Sequence, residues 1–260
     1  MLAARSRVAT AAAVKLGNFA RQVVFHRVLT TIYLSVNGEG WLLSQLGPAI
    51  RSFIDVGANV GDWTAAVLAA APGASGILVE PSANAFATLK QRYEHDGRVA
   101  LTFAAAGAAN GEAEFFEEPN AGQSSSLVQA STNGPVEKRR VAIRALDDLV
   151  SARAWSHVDV LKVDCEGYDY FVLKGAESLI RAGAIGVIQF EYNTSWRYAG
   201  GTLEATRRLL GDAGYRLFLL RPDGLYEGWE KFGEFYQYSN FVAISPQRLP
   251  QLGHLVRGKI

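Results

Sequence analysis

Ile54-Asp55-Val56-Gly57-Ala58-Asn59-Val60-Gly61 is the stretch whose reading decides the fold. The run Arg51 to Val56 reads as a buried strand, and two glycines at G-x-x-x-G spacing mark a turn. The Ala-rich run Gly61 to Ala71 reads as a helix, which Pro72-Gly73 stops. A strand that turns through glycine directly into a helix sets backbone N–H groups and the positive end of a helix dipole at the carboxyl edge of a sheet. A ligand carboxylate or phosphate belongs there. The three-glycine G-x-G-x-x-G fingerprint of a dinucleotide site is absent, and no Gly-Lys-Ser/Thr of a P-loop follows. The plainer alternative is that the glycines only let helix and strand approach closely.

Outward from this turn, short apolar runs alternate with helix-period segments. Ser75 to Glu80 reads as strand two, Ser82 to about His95 as a helix, and Val99 to Ala105 as strand three. Ala113 to Glu117 and Val136 to Arg144 read as an inserted hairpin around the Gly- and Ser-rich segment 122–134. Val158 to Val163 is strand four, and Val172, Leu173, Ala176, Leu179 and Ile180 mark the buried face of the next helix. Ala184 to Phe190 is strand five, followed by a helix on Leu203, Thr206, Leu209 and Leu210 and by strands at Tyr215 to Leu220 and Phe241 to Ile244. The expected fold is α/β: a doubly wound, mostly parallel, seven-stranded sheet whose last two strands can pair antiparallel at one edge.

The 260 residues are 49% apolar and 20% charged, which excludes a disordered or fibrous chain. A single cysteine, Cys165, excludes an intramolecular disulfide and a multi-thiolate metal site and suits a reducing cytoplasm. A net charge of +1 argues against a general polyanion binder, so no nucleic-acid partner is expected. The charge is uneven, however. The first 38 residues carry Arg5, Arg7, Lys15, Arg21 and Arg27 with no acid, whereas the remainder holds 21 basic against 25 acidic residues. This leader lacks a signal-peptide pattern, and no run of about 18 to 20 uncharged apolar residues occurs. Residues 1–50 are therefore expected to be an N-terminal helical extension and 51–260 the catalytic domain. The extension either packs on that domain or makes peripheral contact with a membrane or a partner, and the location is otherwise cytoplasmic.

Glu80 ends strand two 25 residues after Asp55, where an α/β nucleotide site places the acid that takes ribose hydroxyls. Asp55, separated from the first glycine of the turn by Val56 alone, is placed to receive an ammonium. A ligand with an amino-acid end and a ribose is S-adenosylmethionine, and Asp55, Gly57, Asn59, Gly61 and Glu80 are its expected contacts. Across the switch point, strand four ends in Asp164-Cys165-Glu166 and strand five in Glu191-Tyr192-Asn193. Asp164, Glu166 and Glu191 are the expected catalytic acids, with Asn193 assisting, although such acids also commonly cap the following helix. Lys162 is read as pointing to the opposite face of its strand and as an ion-pair partner. Cys165 has no histidine to activate it. The aromatic group Trp196, Tyr198, Tyr226, Trp229, Phe232, Phe235, Tyr236 and Tyr238 reads as core and edge packing, with a wall over an acceptor as the alternative.

Several blocks, taken in order, carry a family resemblance. They are Ile54 to Thr64, Glu80-Pro81-Ser82, Ser125-Ser126-Leu127, Leu146-Asp147-Asp148, Leu161 to Gly167 and Leu173 to Ala176. Over about Arg51 to Ile244 the chain resembles the FkbM family of S-adenosylmethionine-dependent methyltransferases, with Tyr168-Asp169 as a departure from the family's wording. The resemblance implies a class I methyltransferase (Rossmann-like) sheet and methyl transfer to oxygen, commonly on a sugar, glycolipid or polyketide. The strand-end acids also resemble those that hold Mg²⁺ in catechol methyltransferases, and such oxygen ligands suit Mg²⁺. The FkbM resemblance leaves the metal open. The competing readings are a catalytically silent scaffold of the same fold and a nicotinamide oxidoreductase, the latter disfavoured by the missing third glycine. The expected partner is a small-molecule or glycolipid acceptor.

Overall fold

The alternation of apolar runs becomes twelve strands in the computed structural model, which describes residues 9, 13–17, 34, 36–119, 125–129 and 135–260. In chain order they are β1 (Ser52–Val56), β2 (Ser75–Val79), β3 (Val99–Thr102), β4 (Ala105–Ala106), β5 (Gly111–Glu117) and β6 (Glu137–Arg144). β7 (Val158–Val163), β8 (Ile185–Tyr192), β9 (Arg216–Arg221), β10 (Gly224–Glu227), β11 (Ser239–Ile244) and β12 (Val256–Lys259) follow. Helices α1 (Glu39–Leu46), α2 (Asp62–Ala70), α3 (Ala83–Tyr93), α4 (Leu146–Ala152), α5 (Asp169–Lys174) and α6 (Glu177–Arg181) flank them.

The main sheet has the order β12-β10-β9-β11-β8-β7-β1-β2-β3. β3, β2, β1, β7 and β8 run parallel, and β11 enters antiparallel between β8 and β9. The doubly wound architecture and the antiparallel pairing of the last expected strands are as read from the sequence. The strand number is not: the sheet has nine strands where seven were expected, because β10 and β12 extend the β9 edge. Both are four residues long, too short for an alternating pattern to register. The expected third strand also divides. Its start is β3, while Ala105 and Ala106 pair with β6 in a second sheet of order β4-β6-β5 that contains the anticipated hairpin.

The expected boundary at residue 51 is not a packing boundary. Leu42, Leu43 and Leu46 of α1, with Ile50, share one core with Phe53, Val67, Phe218 and Val242 and are at most 4% exposed. Burying each leucine stabilises the fold by roughly 1.5–3 kcal/mol. Just ahead of α1, Gly38 adopts φ +102, and a Cβ there would stand 2.7 Å from the Arg221 carbonyl oxygen, so the chain lies tight against β9. Arg5, Arg7, Arg21 and Arg27 lie outside the described residues. Among the described residues no helix is long and apolar enough to cross a membrane.

Candidate active site

The carboxyl ends of β1, β2, β7 and β8 border a cavity of about 370 Å³. It lies where β1 is flanked by β2 on one side and β7 on the other, the switch point at which open α/β sheets bind ligands. Gly57 turns the chain out of β1 with φ +73, and a Cβ on it would meet the Asp164 carbonyl oxygen at 1.8 Å. Only a hydrogen fits between these strand ends. The N–H groups of Gly57 and Ala58 donate to the Val79 carbonyl, which ties the turn to β2. Asn59 follows at φ +48, a left-handed position that asparagine tolerates. Its backbone N–H donates to Glu80 Oε2 (2.8 Å), and Ser82 N–H donates to Glu80 Oε1 (2.7 Å).

Gly57, Asn59 and Glu80, expected from the sequence to contact the cofactor, all line the cavity. Glu80 is 5% exposed, and burial pushes its carboxyl up to about 7 despite the two backbone donors. Each of its oxygens keeps a further lone pair for hydroxyl donors. The glycine turn that excludes any side chain, together with an acid held by the backbone at its rim, fits the adenosyl half of S-adenosylmethionine.

Asp55 and Gly61 do not reach the cavity wall. Asp55 is fully buried, with Oδ2 accepting from Thr64 Oγ1 at 2.7 Å and Oδ1 standing 3.8 Å from Lys162 Nζ. Thr64 of α2 and Lys162, its register partner on β7, cover the carboxylate and shield it from the cavity. Gly61 precedes α2 at φ +87, where a Cβ would strike the Tyr93 ring at 2.6 Å, and the Tyr93 hydroxyl donates to the Gly61 carbonyl. At this glycine close helix packing is the role.

Asp164, Glu166 and Glu191 are brought together, with one oxygen from each lying within 4.8 Å of the others. Asn193 Nδ2 donates to Glu166 Oε2 (3.2 Å) and to Glu191 Oε1, so the asparagine bridges the two glutamates. Burial, then the charge of Asp164, pushes Glu166 up to about 8, and burial with Asp164 and Glu166 nearby raises Glu191 well above the usual carboxylate range. The helix-cap alternative fails for Asp164 and Glu166, since α5 begins after Tyr168 with no side-chain cap. Lys162 is an ion-pair partner, 3.1 Å from Asp164 Oδ2, but it does not face away. Residues 162 and 164 differ by two, so strand alternation places both side chains on the cavity side. Burial works against the Lys162 charge, and Asp164, Asp55 and Glu39 together outweigh it, which keeps the ammonium protonated.

Other lining residues carried weaker signals or none. Ser125, Ser126 and Leu127 come from the segment between β5 and β6, and Ser126 Oγ donates to the Glu166 carbonyl. Tyr238, one of the aromatic group, lines the cavity and hydrogen-bonds Glu191. Trp196 and Trp229 of that group are core, and Tyr198 is exposed. Glu39 lines the cavity from α1, beyond any motif. Burial pushes the Cys165 thiol well up, which makes it a poor nucleophile. Leu146-Asp147-Asp148 is structural: Asp147 accepts the Ser178 and Leu179 N–H groups at the start of α6, and Asp148 accepts from Asn110.

Comparison with solved structures places a methyltransferase FkbM from Methylobacillus flagellatus KT beside this chain, at 17% identity and a TM-score of 0.54. The alignment covers 84% of this chain and 49% of that one, so the chain spans about half the length of that structure. A precorrin-6y C5,15-methyltransferase from Geobacter metallireducens GS-15 aligns at 13% identity, covering 85% of this chain and 95% of the other, with a TM-score of 0.45. An SAM-dependent methyltransferase from Agrobacterium tumefaciens aligns at 10% identity over 83% of this chain and 63% of the other, with a TM-score of 0.45. No curated protein matches the sequence. The profile of the methyltransferase FkbM domain matches residues 55–217, more than half of the chain and the whole run from the Gly57 turn to the strand-end acids. The chain belongs to the FkbM family of methyltransferase domains.

Proposed function

We propose that the chain is an S-adenosylmethionine-dependent methyltransferase that methylates a hydroxyl of a sugar, glycolipid or polyketide-type acceptor. The observation that carries this reading is the meeting, in one cavity, of Gly57, Asn59 and Glu80 with the carboxylates of Asp164, Glu166 and Glu191. When bound, S-adenosylmethionine supplies an electrophilic methyl group on a sulfonium. The chain's own residues supply the rest. An aliphatic hydroxyl is about as weakly acidic as water, whose pKa is about 15.7, so a base must take its proton as the new bond forms. Asp164 and Glu191 act as that base, with Glu166 and Asn193 holding them in place. Positioning of the acceptor contributes up to about 7–11 kcal/mol in favourable cases.

The same three carboxylates fit a hard divalent cation, Mg²⁺ before zinc. Lys162 already balances Asp164, so the base reading requires no ion. Chelator sensitivity restored by Mg²⁺ would turn the cluster from base to metal holder. The basic residues ahead of Glu39 support a location at an anionic membrane surface if the acceptor is a glycolipid. The deciding experiment incubates the protein with isotopically labelled methyl donor and candidate acceptors or a cell extract, and follows the label by mass spectrometry. Label on an acceptor oxygen supports the reading. Cofactor binding without transfer to any acceptor favours the silent scaffold.

A further inference from the structure

Asp55 has no free access to a ligand, which leaves the ammonium of the cofactor's amino-acid half without the acid first expected to receive it. Glu39 offers a carboxylate in the cavity wall. It is 7% exposed and is fixed by two amides that are themselves buried. Asn37 Nδ2 donates to Oε2 at 2.9 Å, and Gln189 Nε2 donates to Oε1. Asn37 Oδ1 in turn accepts the Glu39 backbone N–H at 2.9 Å, which closes a ring of bonds around the residue. Each carboxylate oxygen retains a lone pair for one more donor.

Position agrees with this chemistry. Glu80 follows β2, on one side of β1, whereas Gln189 belongs to β8, on the other side. The ribose acid and Glu39 therefore stand on opposite sides of the Gly57 turn, in the order of a ligand with a ribose at one end and an amino acid at the other. Trp63, near the start of α2, lines the same cavity as Glu39.

We propose that Glu39 receives the ammonium of the methionine half of S-adenosylmethionine, so that a helix outside the family-matching region completes the cofactor site. The inference rests on the reading of the cavity as the cofactor site. A hydrogen bond to a charged partner of this kind accounts for about a tenfold to hundredfold change in affinity.

The test is calorimetry with three probes: S-adenosylhomocysteine, its des-amino analogue, and 5′-methylthioadenosine, which lacks the amino-acid half. Glu39→Gln should lose about tenfold to hundredfold in affinity for S-adenosylhomocysteine and none for 5′-methylthioadenosine. Wild type should lose a similar factor when the amino group is removed from the ligand, and Glu39→Gln should lose nothing further, closing a double cycle. Unchanged affinity for S-adenosylhomocysteine in folded Glu39→Gln, or an equal fall for both nucleosides, overturns the assignment. If Glu39→Gln does not fold, wild type and Glu39→Asp decide it: a des-amino analogue that binds wild type as tightly as S-adenosylhomocysteine overturns it. Wild type that binds neither nucleoside removes the cofactor reading itself, and this inference with it.

Discussion

Glu80 shows at the scale of one residue how a binding site costs stability. Burial holds its carboxyl at about 7, against an ordinary 4.5. Between those values the folded protein keeps a proton that the unfolded chain has released, so this residue's contribution to stability falls as pH rises from about 4.5 to 7 and levels off above. The total is about 3 kcal/mol at most. Chemical denaturation of the ligand-free protein at pH 5 and pH 8 should show this loss, and Glu80→Gln should reduce it; an equal slope in the variant would assign the titration elsewhere. The acids across the cavity answer to rate. Asp164→Asn and Glu191→Gln should each lower turnover by about 10²- to 10⁴-fold while leaving affinity for S-adenosylhomocysteine unchanged. Wild-type turnover in both variants would leave the base to be sought elsewhere. Gly57, Asn59, Glu80 and the three acids were legible in the sequence because each sits at the end of a strand that announces itself by its apolar run. Asp55 misled because its place beside the turn says nothing of Thr64 and Lys162, which fold over its carboxylate.

Among the elements, α1 changes meaning most between sequence and structure. Eight residues with a modest apolar content, ahead of the first recognisable strand, read only as part of the N-terminal extension 1–50. Folded, the helix buries three leucines in the main core and presents Glu39 to the cavity. No local pattern could show this, since the partners Phe218, Val242 and Gln189 lie more than 140 residues further along the chain. A chain beginning at residue 51 should therefore be strongly destabilised, because the loss of roughly 1.5–3 kcal/mol per buried leucine is a large part of a domain's usual 5–15 kcal/mol. A thermal melt within a few degrees of the full-length protein would show that α1 is an accessory. β10 and β12 escaped notice for a related reason: each is held by its neighbour in the sheet, not by its own sequence pattern. The inserted hairpin, by contrast, was legible from alternation, and its Glu117 accepts from Ser82 and Asn84, so it braces the start of α3 beside the site.

For the whole molecule the near-neutral net charge conceals a local imbalance. Glu39, Asp62, Glu80, Asp164, Glu166 and Glu191 line the cavity, and Lys162 is the one basic residue among the described residues that face it. Such a concave, low-dielectric wall focuses its field inward. Donating a methyl group turns a sulfonium into a neutral thioether, so the ligand leaves the reaction with one positive charge fewer than it brought. Where its carboxyls are ionised, the acidic wall favours the charged cofactor over its spent form. Above about pH 8, where Glu80 and Glu166 have lost their protons, S-adenosylmethionine should bind more tightly than S-adenosylhomocysteine, and the gap should narrow as salt is added, as pH is lowered below about 7, or as Glu166 is replaced by Gln; tighter binding of the spent form at low salt and high pH would contradict this. The loss of one charge at the reacting atom is then itself what weakens the hold of such a wall on the by-product.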